Sequence, residues 1–288
     1  MLQTRAVTAW GCRMARPKWA HPEAIEREYQ RDIERVAKQC RVEVNKQLMP
    51  EVSALHEMAN RYRPDSIGGE IDEGTWVDRL NKLLSSVLQV TLGSTAFRAF
   101  TGSTANFDGV DVRRFAERIK VFNLRQVRKL TRARYGEAYN RAEPWLDDLM
   151  RAWELENLKL IRSIPEQYVD NLQGTIIRAI NEGQNVTQLK ETIRATYDQP
   201  VNRAQLIAND QVGKLNANLT EYRQKSVGIA EYTWRTVMDG RERPEHGRRN
   251  GETFSWKRPP SDGHPGMAVR CRCFAEPKWP SRDEVTLT

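Results

Sequence analysis

Long apolar runs are missing from this 288-residue chain. No stretch approaches the roughly 18 uncharged apolar residues that a membrane span needs, so a spanning helix is not expected. A secretory leader is not expected either. In Met1 to Ala20 the charges Arg5, Arg13, Arg16 and Lys18 are scattered among the apolar positions instead of preceding them, and the chain should stay in the compartment where it is made. Cysteine is scarce: of four in all, Cys12 and Cys40 lie far from Cys271 and Cys273. That spacing argues against a disulfide framework and for a reducing cytosol. There is no Ser/His/Asp order, glycine-rich phosphate loop, nucleotide fingerprint or close acid pair in a suitable context, and the chain does not read as an enzyme. No repeat or low-complexity tract appears.

What is present is charge and helical periodicity. Charged residues make up 29% of the chain and the net charge is +8, with a pI near 9.4, which points to anionic partners without saying anything of the fold. The length suits one or two domains. The fold class expected is mainly α with a small α+β C-terminal module. It divides into an extended arm over 1–22, an elongated helical body over 23–226 and a short β-containing module over 227–288. From Glu23 onward Ile25, Tyr29, Ile33, Val36, Cys40 and Val44 recur at helical spacing, opposite a face of mixed sign that reads as solvated. Pro50 interrupts the pattern, which resumes through Val52, Leu55 and Met58 before Arg63 to Gly69 breaks it. A second helix is expected over Glu73 to Phe100, then a polar loop from Thr101 to Gly109.

Further helices are expected to start at Glu143-Pro144 with Trp145, Leu149 and Trp153, at Pro165 with Tyr168, Leu172 and Ile176, after a Thr187 cap, and at Pro200. Tryptophan and tyrosine on these faces read as core, not as ligand platforms.

The stretch between the second helix and Glu143 has a different composition. Arg113, Arg114, Arg118, Lys120, Arg125, Arg128, Lys129, Arg132 and Arg134 stand against the single acid Glu117 across Arg113 to Arg134. Asn123 followed by Gln126 resembles a capping box, which predicts two helices meeting there. So many cations would bind phosphates through counterion release without reading bases. The alternative is a solvated face opposite an acidic surface of a partner protein, because net charge does not name the anion.

Polar chemistry concentrates between Ile229 and Pro277. Tyr232, Trp234, Thr236 and Met238 alternate with Thr233, Arg235 and Val237, which predicts a strand over Ile229 to Met238, ended by Asp239-Gly240. A second strand is expected over Glu252 to Trp256, entered through Asn250-Gly251. A third, Ala268 to Ala275, would turn Cys271 and Cys273 to one side and Arg270 and Arg272 to the other. His246, His264, Cys271 and Cys273 then form a two-His, two-Cys set of the kind zinc takes tetrahedrally, and zinc is the one cofactor these residues suggest. Against it, a Cys-x-Cys in a strand separates the Cα atoms by about 6.6 Å, and the plainer reading is two small buried thiols in a cofactor-free sheet. A metal-dependent nuclease using Asp239, His246, Asn250 and His264 is a further reading. Asp239 and Asn250 are also preferred turn residues.

The order Tyr-x-Trp-x-x-x-x-Asp-x-Arg-x-Arg-x-x-His, then Gly-x-x-Phe, Pro-Pro, His-Pro-Gly and Cys-Arg-Cys, resembles the phage Mu protein F-like family. Its residues here are Trp234, Asp239, Arg241, Arg243, His246, Gly251, Cys271 and Cys273. Upstream, Arg203-Ala204-Gln-Leu-Ile207-Ala208 is similar to the family's Arg-Ala-x-x-Ile-Ala helix. Many members continue with Arg-Thr-Glu, whereas this chain has Asn209-Asp210-Gln211. The resemblance implies a minor capsid, or head morphogenesis, protein of a tailed phage. Such a protein is a structural virion component made in the host cytoplasm and placed inside the capsid at the portal vertex. Its partners would be the portal and other head proteins, with non-specific contact to double-stranded DNA during packaging or ejection.

Overall fold

The computed structural model describes residues 19–61, 75–94, 98, 110–238 and 242–288. The arm up to Lys18, the break from Arg63 to Gly69, the polar loop from Thr101 to Gly109, and Asp239 and Arg241 lie outside these residues.

Helix α1, Glu23–Glu43, buries Ile25, Tyr29, Ile33, Val36 and Cys40 along one stripe, as their spacing predicts. Pro50 cannot donate a backbone hydrogen bond, and the chain absorbs it in one π-helical turn, Val44–Leu48, and a 3-10 turn, Met49–Glu51, before α2, Val52–Arg61. Helix α3, Trp76–Leu92, begins later than expected because Thr75 and Asp78 form a reciprocal capping box.

Two expected helix breaks do not occur. Helix α4, Val110–Tyr135, runs unbroken through Asn123. The Asn123 amide does not cap its own helix but reaches across to the Asn216 carbonyl (3.1 Å), Asn216 Oδ1 (3.0 Å) and Thr220 Oγ1 (2.9 Å). Helix α5, Leu146–Asn181, passes through Pro165. Ile161 and Ile164 before the proline and Tyr168 and Leu172 after it all stay buried, so packing on both sides outweighs the lost hydrogen bond. Helix α6, Val186–Arg194, is capped by Asn185 paired with Gln188, leaving Thr187 inside the helix. Helix α7, Gln199–Ser226, opens with Pro200 in its first turn as expected.

Helices α1 and α5 thread two apolar clusters. One gathers around Tyr29, Phe115, Trp153, Ile161, Ala208 and Leu215. The other gathers around Leu48, Leu55, Leu84, Leu172, Ile176 and Ile193. A third, containing Trp19, Val127, Tyr139, Ile229, Val285 and Leu287, ties the chain after α7 back onto α4.

The sheet has the order β2-β1-β3, antiparallel throughout, with β1 at Glu231–Arg235, β2 at Thr253–Ser255 and β3 at Phe274–Pro277. A short helix α8, Pro244–Arg248, lies between β1 and β2. Tyr232 and Trp234 share the buried face of β1, as alternation predicts. All three strands are shorter than expected, and β1 ends at Arg235, before an exposed Met238 with a positive φ of 58°. The third begins only at Phe274, so Cys271 and Cys273 lie in the loop that leads into it, where Arg270 adopts a positive φ of 58°. No helix among the described residues is long and apolar enough to cross a membrane.

Candidate functional site

The short helix α8 presents His246, and the loop before β3 presents Cys271 and Cys273. The ligand atoms of these three residues all lie within 4.8 Å of one another. His246 Nδ1 stands 3.4 Å from Cys271 Sγ and 3.5 Å from Cys273 Sγ. Relative exposures of 2% for His246 and 7% for each cysteine place the cluster inside the module. The other imidazole nitrogen, Nε2, is 2.8 Å from Asp262 Oδ2, while Asp262 Oδ1 accepts from Arg249 at 2.6 Å. Those two partners hold the Asp262 carboxyl below its usual range against the opposing effect of burial.

The surroundings favour negative charge on one of the two sulfurs, that of Cys271. The Gly266 backbone N–H donates to Cys271 Sγ at 3.3 Å. Proximity to Cys273 holds the Cys271 thiol below its usual range against the effect of burial, and the same proximity, with burial, pushes Cys273 up. The buried Trp234 indole N–H has no hydrogen-bond partner among the described residues. The Trp234 ring packs edge-on against His246 at 5.2 Å, with the Arg249 guanidinium over the indole at 5.1 Å.

Close packing against α7 sets the loop. Gly266 has φ +90°, and a Cβ there would come within 2.8 Å of Ala217 Cβ. Glycine thus meets two demands at this position, a left-handed backbone and a close helix approach.

The expected four-residue metal set is brought together only in part. His264 belongs to a different contact: its Nδ1 lies 2.9 Å from Tyr232 Oη, and its ring packs on Trp256 at 4.8 Å. The nuclease set does not converge among the described residues. Asn250 Oδ1 accepts from the Thr236 N–H at 3.2 Å as a turn residue, and His246 is committed to Asp262 and the sulfurs. Arg243 reaches the Val269 carbonyl at 3.1 Å, and Gly251 supplies a φ of +92° in the turn before β2.

Helix α4 divides its nine cations into two groups. In the first half, Arg113 pairs with Glu154 (3.4 Å), Arg114 with Asp32 (3.5 Å), Arg118 with Glu28 (2.8 Å) and Lys120 with Glu117. These acids come mostly from α1 and α5, far away in sequence, so the expected excess of positive charge is largely neutralised there. In the second half Arg125, Arg128, Lys129, Arg132 and Arg134 are exposed, and none has an ion-pair partner among the described residues. Arg125, Arg128, Lys129 and Arg132 follow the i, i+3, i+4, i+7 spacing and form one stripe, while Arg134 lies off it against Tyr135.

Sequence reasoning missed the buried ion pair beneath this stripe. Arg223, fully inaccessible, forks onto Glu143 through Nε (2.6 Å) and Nη2 (2.9 Å), and its Nη1 donates to Asn123 Oδ1 at 2.8 Å. Its only sequence signal was an arginine in line with Ala204, Ala208, Leu215 and Leu219 on a helix. The Arg203-Ala204 to Ala208 segment packs as its small residues suggest: Ala204 and Ala208 are fully buried, and Arg203 donates to Ser163 Oγ at 2.7 Å. At the departure, Gln211 is buried and donates to Glu156 Oε1 at 3.1 Å while accepting from Asn157 at 3.0 Å.

Residues 170–276 match the family model of Phage Mu protein F like protein. A Haemophilus influenzae protein, itself uncharacterised, is 35% identical over 149 residues, which is 51% of this chain. The chain spans about a third of that relative's length (33%). No solved structure matches the chain.

Proposed function

From the premise of a Mu protein F-like region over residues 170–276, we propose that this chain is a minor head protein of a tailed phage. It acts in head morphogenesis as a structural component of the virion, inside the capsid at the portal vertex, and not as an enzyme. The observation that carries this reading is the matched region itself, which takes in α7, the sheet up to but not including the last residue of β3, and the His246, Cys271 and Cys273 cluster.

The exposed stripe of Arg125, Arg128, Lys129 and Arg132 supports contact with a polyanion, either packaged DNA or an acidic face of the portal. The dispersal of His246, Asn250 and His264 leaves the nuclease reading without an assembled centre among the described residues.

The test is made on particles. Mass spectrometry of purified heads should find the chain at low copy number. Deletion of its reading frame should give particles that are aberrant or non-infectious. An unchanged infectious titre after deletion, with the chain absent from heads, would contradict the proposal.

A further inference from the structure

We propose that His246 Nδ1, Cys271 Sγ and Cys273 Sγ bind a zinc ion, with the two sulfurs as thiolates and a water from the adjacent cleft in the fourth position. Zinc holds sulfur at about 2.3 Å and imidazole nitrogen at about 2.0–2.1 Å, so a tetrahedral site has an N···S edge of about 3.5 Å. The two edges here are 3.4 and 3.5 Å. An imidazole nitrogen and two sulfurs have thus converged from segments 25 residues apart, with both N···S edges at the spacing that this ion requires and all three atoms within 4.8 Å of one another.

The surrounding groups fit the same ion. Asp262, steadied by Arg249, fixes His246 in the tautomer that carries its proton on Nε2 and turns the Nδ1 lone pair toward the sulfurs. A carboxylate on the outer nitrogen of a ligating imidazole is the usual support of a metal-bound histidine. The Gly266 N–H donates to Cys271 Sγ at 3.3 Å, a contact that favours a thiolate. Packing of two neutral thiols as small apolar groups would need neither of these partners. The strand geometry that argued against metal is absent, because Cys271 and Cys273 lie in a loop after the positive φ of Arg270.

A cleft of about 770 Å³, lined in part by Asn209, Glu242 and Arg243, reaches His246 and both cysteines. Three protein ligands with access to such a cleft leave one position for water. His264 is outside the set, held by Tyr232. Binding releases the thiol protons to solvent and adds a clip between α8 and the lead-in of β3, which the Arg243 bond to the Val269 carbonyl already joins.

The experiment uses the full chain purified without added metal. Elemental analysis should give about one zinc per chain, falling to background in Cys271→Ser and Cys273→Ser. His264→Phe, which keeps the ring packing on Trp256, should retain the ion. Because the cysteine variants can lose zinc by unfolding, the wild-type chain is also stripped with a chelator and titrated with Co²⁺. Thiolate-to-cobalt charge transfer and the intense ligand-field bands of a tetrahedral site are expected. Metal at background together with no cobalt spectrum would overturn the site, and so would a different metal in place of zinc. Loss of zinc in His264→Phe with unchanged circular dichroism would overturn the three-residue ligand set.

Discussion

The helical body and the C-terminal module reach burial by different routes. The body lays long helices side by side, and their regular apolar stripes build two clusters rich in isoleucine, leucine and valine, with α1 and α5 contributing to both. The module has strands of five, three and four residues, and its own cluster holds Tyr232, Trp234, Trp256, Ala275 and the two cysteines. A three-stranded sheet of that size buries too little to stand without support. The body is therefore specified by periodicity, and the module by the convergence of a few side chains whose positions in sequence have no period.

The largest expected effects come as a pair of equal size and different reach. Glu143→Ala strands the Arg223 guanidinium in the body without its partner, which should cost about 3 to 5 kcal/mol. Chemical denaturation followed by far-ultraviolet circular dichroism should register it as loss of global stability. Trp234→Ala should also cost about 3 to 5 kcal/mol, because the indole is 1% exposed. Its effect should appear in hydrogen exchange of β1, β2 and β3, with α1 and α5 unmoved. Equal spread of the two effects over the whole chain would erase the distinction between the regions.

Next in size is Asp262→Asn, which keeps the shape but weakens the support of His246. Zinc affinity, measured by competition with a chromophoric chelator, should drop about 10- to 100-fold. An unchanged affinity would mean that the carboxylate serves only Arg249. A third contrast separates the thiols. Burial pushes Cys40 up to about 12, so in the native body it should resist iodoacetamide at neutral pH and react only as the helices open. In metal-stripped protein Cys271, held below its usual range beside Cys273, should be alkylated before Cys40. Peptide mapping of the modified chain checks the order.

The smallest effect on folding is expected on α4. Replacing Arg125, Arg128, Lys129 and Arg132 together should lower the denaturation midpoint only slightly, since all four are exposed and without an ion pair among the described residues, and the one bond lost is that from Arg128 Nε to the Tyr139 carbonyl (3.1 Å). The same variant should bind duplex DNA more weakly without changed sequence preference. Its plot of log affinity against log salt should be shallower than the wild-type line, whose slope is about 0.9 per phosphate neutralised. The matching variant at Arg113, Arg114, Arg118 and Lys120 should change DNA binding less and stability more, because those cations are held by Glu154, Asp32, Glu28 and Glu117. If portal binding survives the first variant and DNA binding is absent at low salt, the stripe is only a solvated surface.

Much of the body was legible in its residues, because Ile25, Tyr29, Ile33, Val36 and Cys40 declare their face by spacing alone. The misread starts of α3 and α6 come from local capping boxes, Thr75 with Asp78 and Asn185 with Gln188, but in the larger misreadings a distant partner decides the outcome. Asn123 looked like a cap but bonds Asn216 and Thr220, and Pro165 looked like a start but is held inside α5 by packing before and after it. The nine cations of α4 looked equivalent until Asp32, Glu28 and Glu154 arrived from other helices. In the module, β1 was readable from alternation. The cluster was readable in residue type but not in membership, since nothing local shows that His264 turns to Tyr232 while His246 turns to the sulfurs.

The measurement that tests the contrast between body and module most directly is hydrogen exchange of the wild-type chain before and after zinc removal. Ligation energy is folding energy wherever the ion bridges separate segments. Protection should fall across α8, β1 and β3, and stay unchanged in α1, α5 and the first half of α7. Unchanged protection in the module after the metal is gone would contradict the claim that the module folds around His246, Cys271 and Cys273.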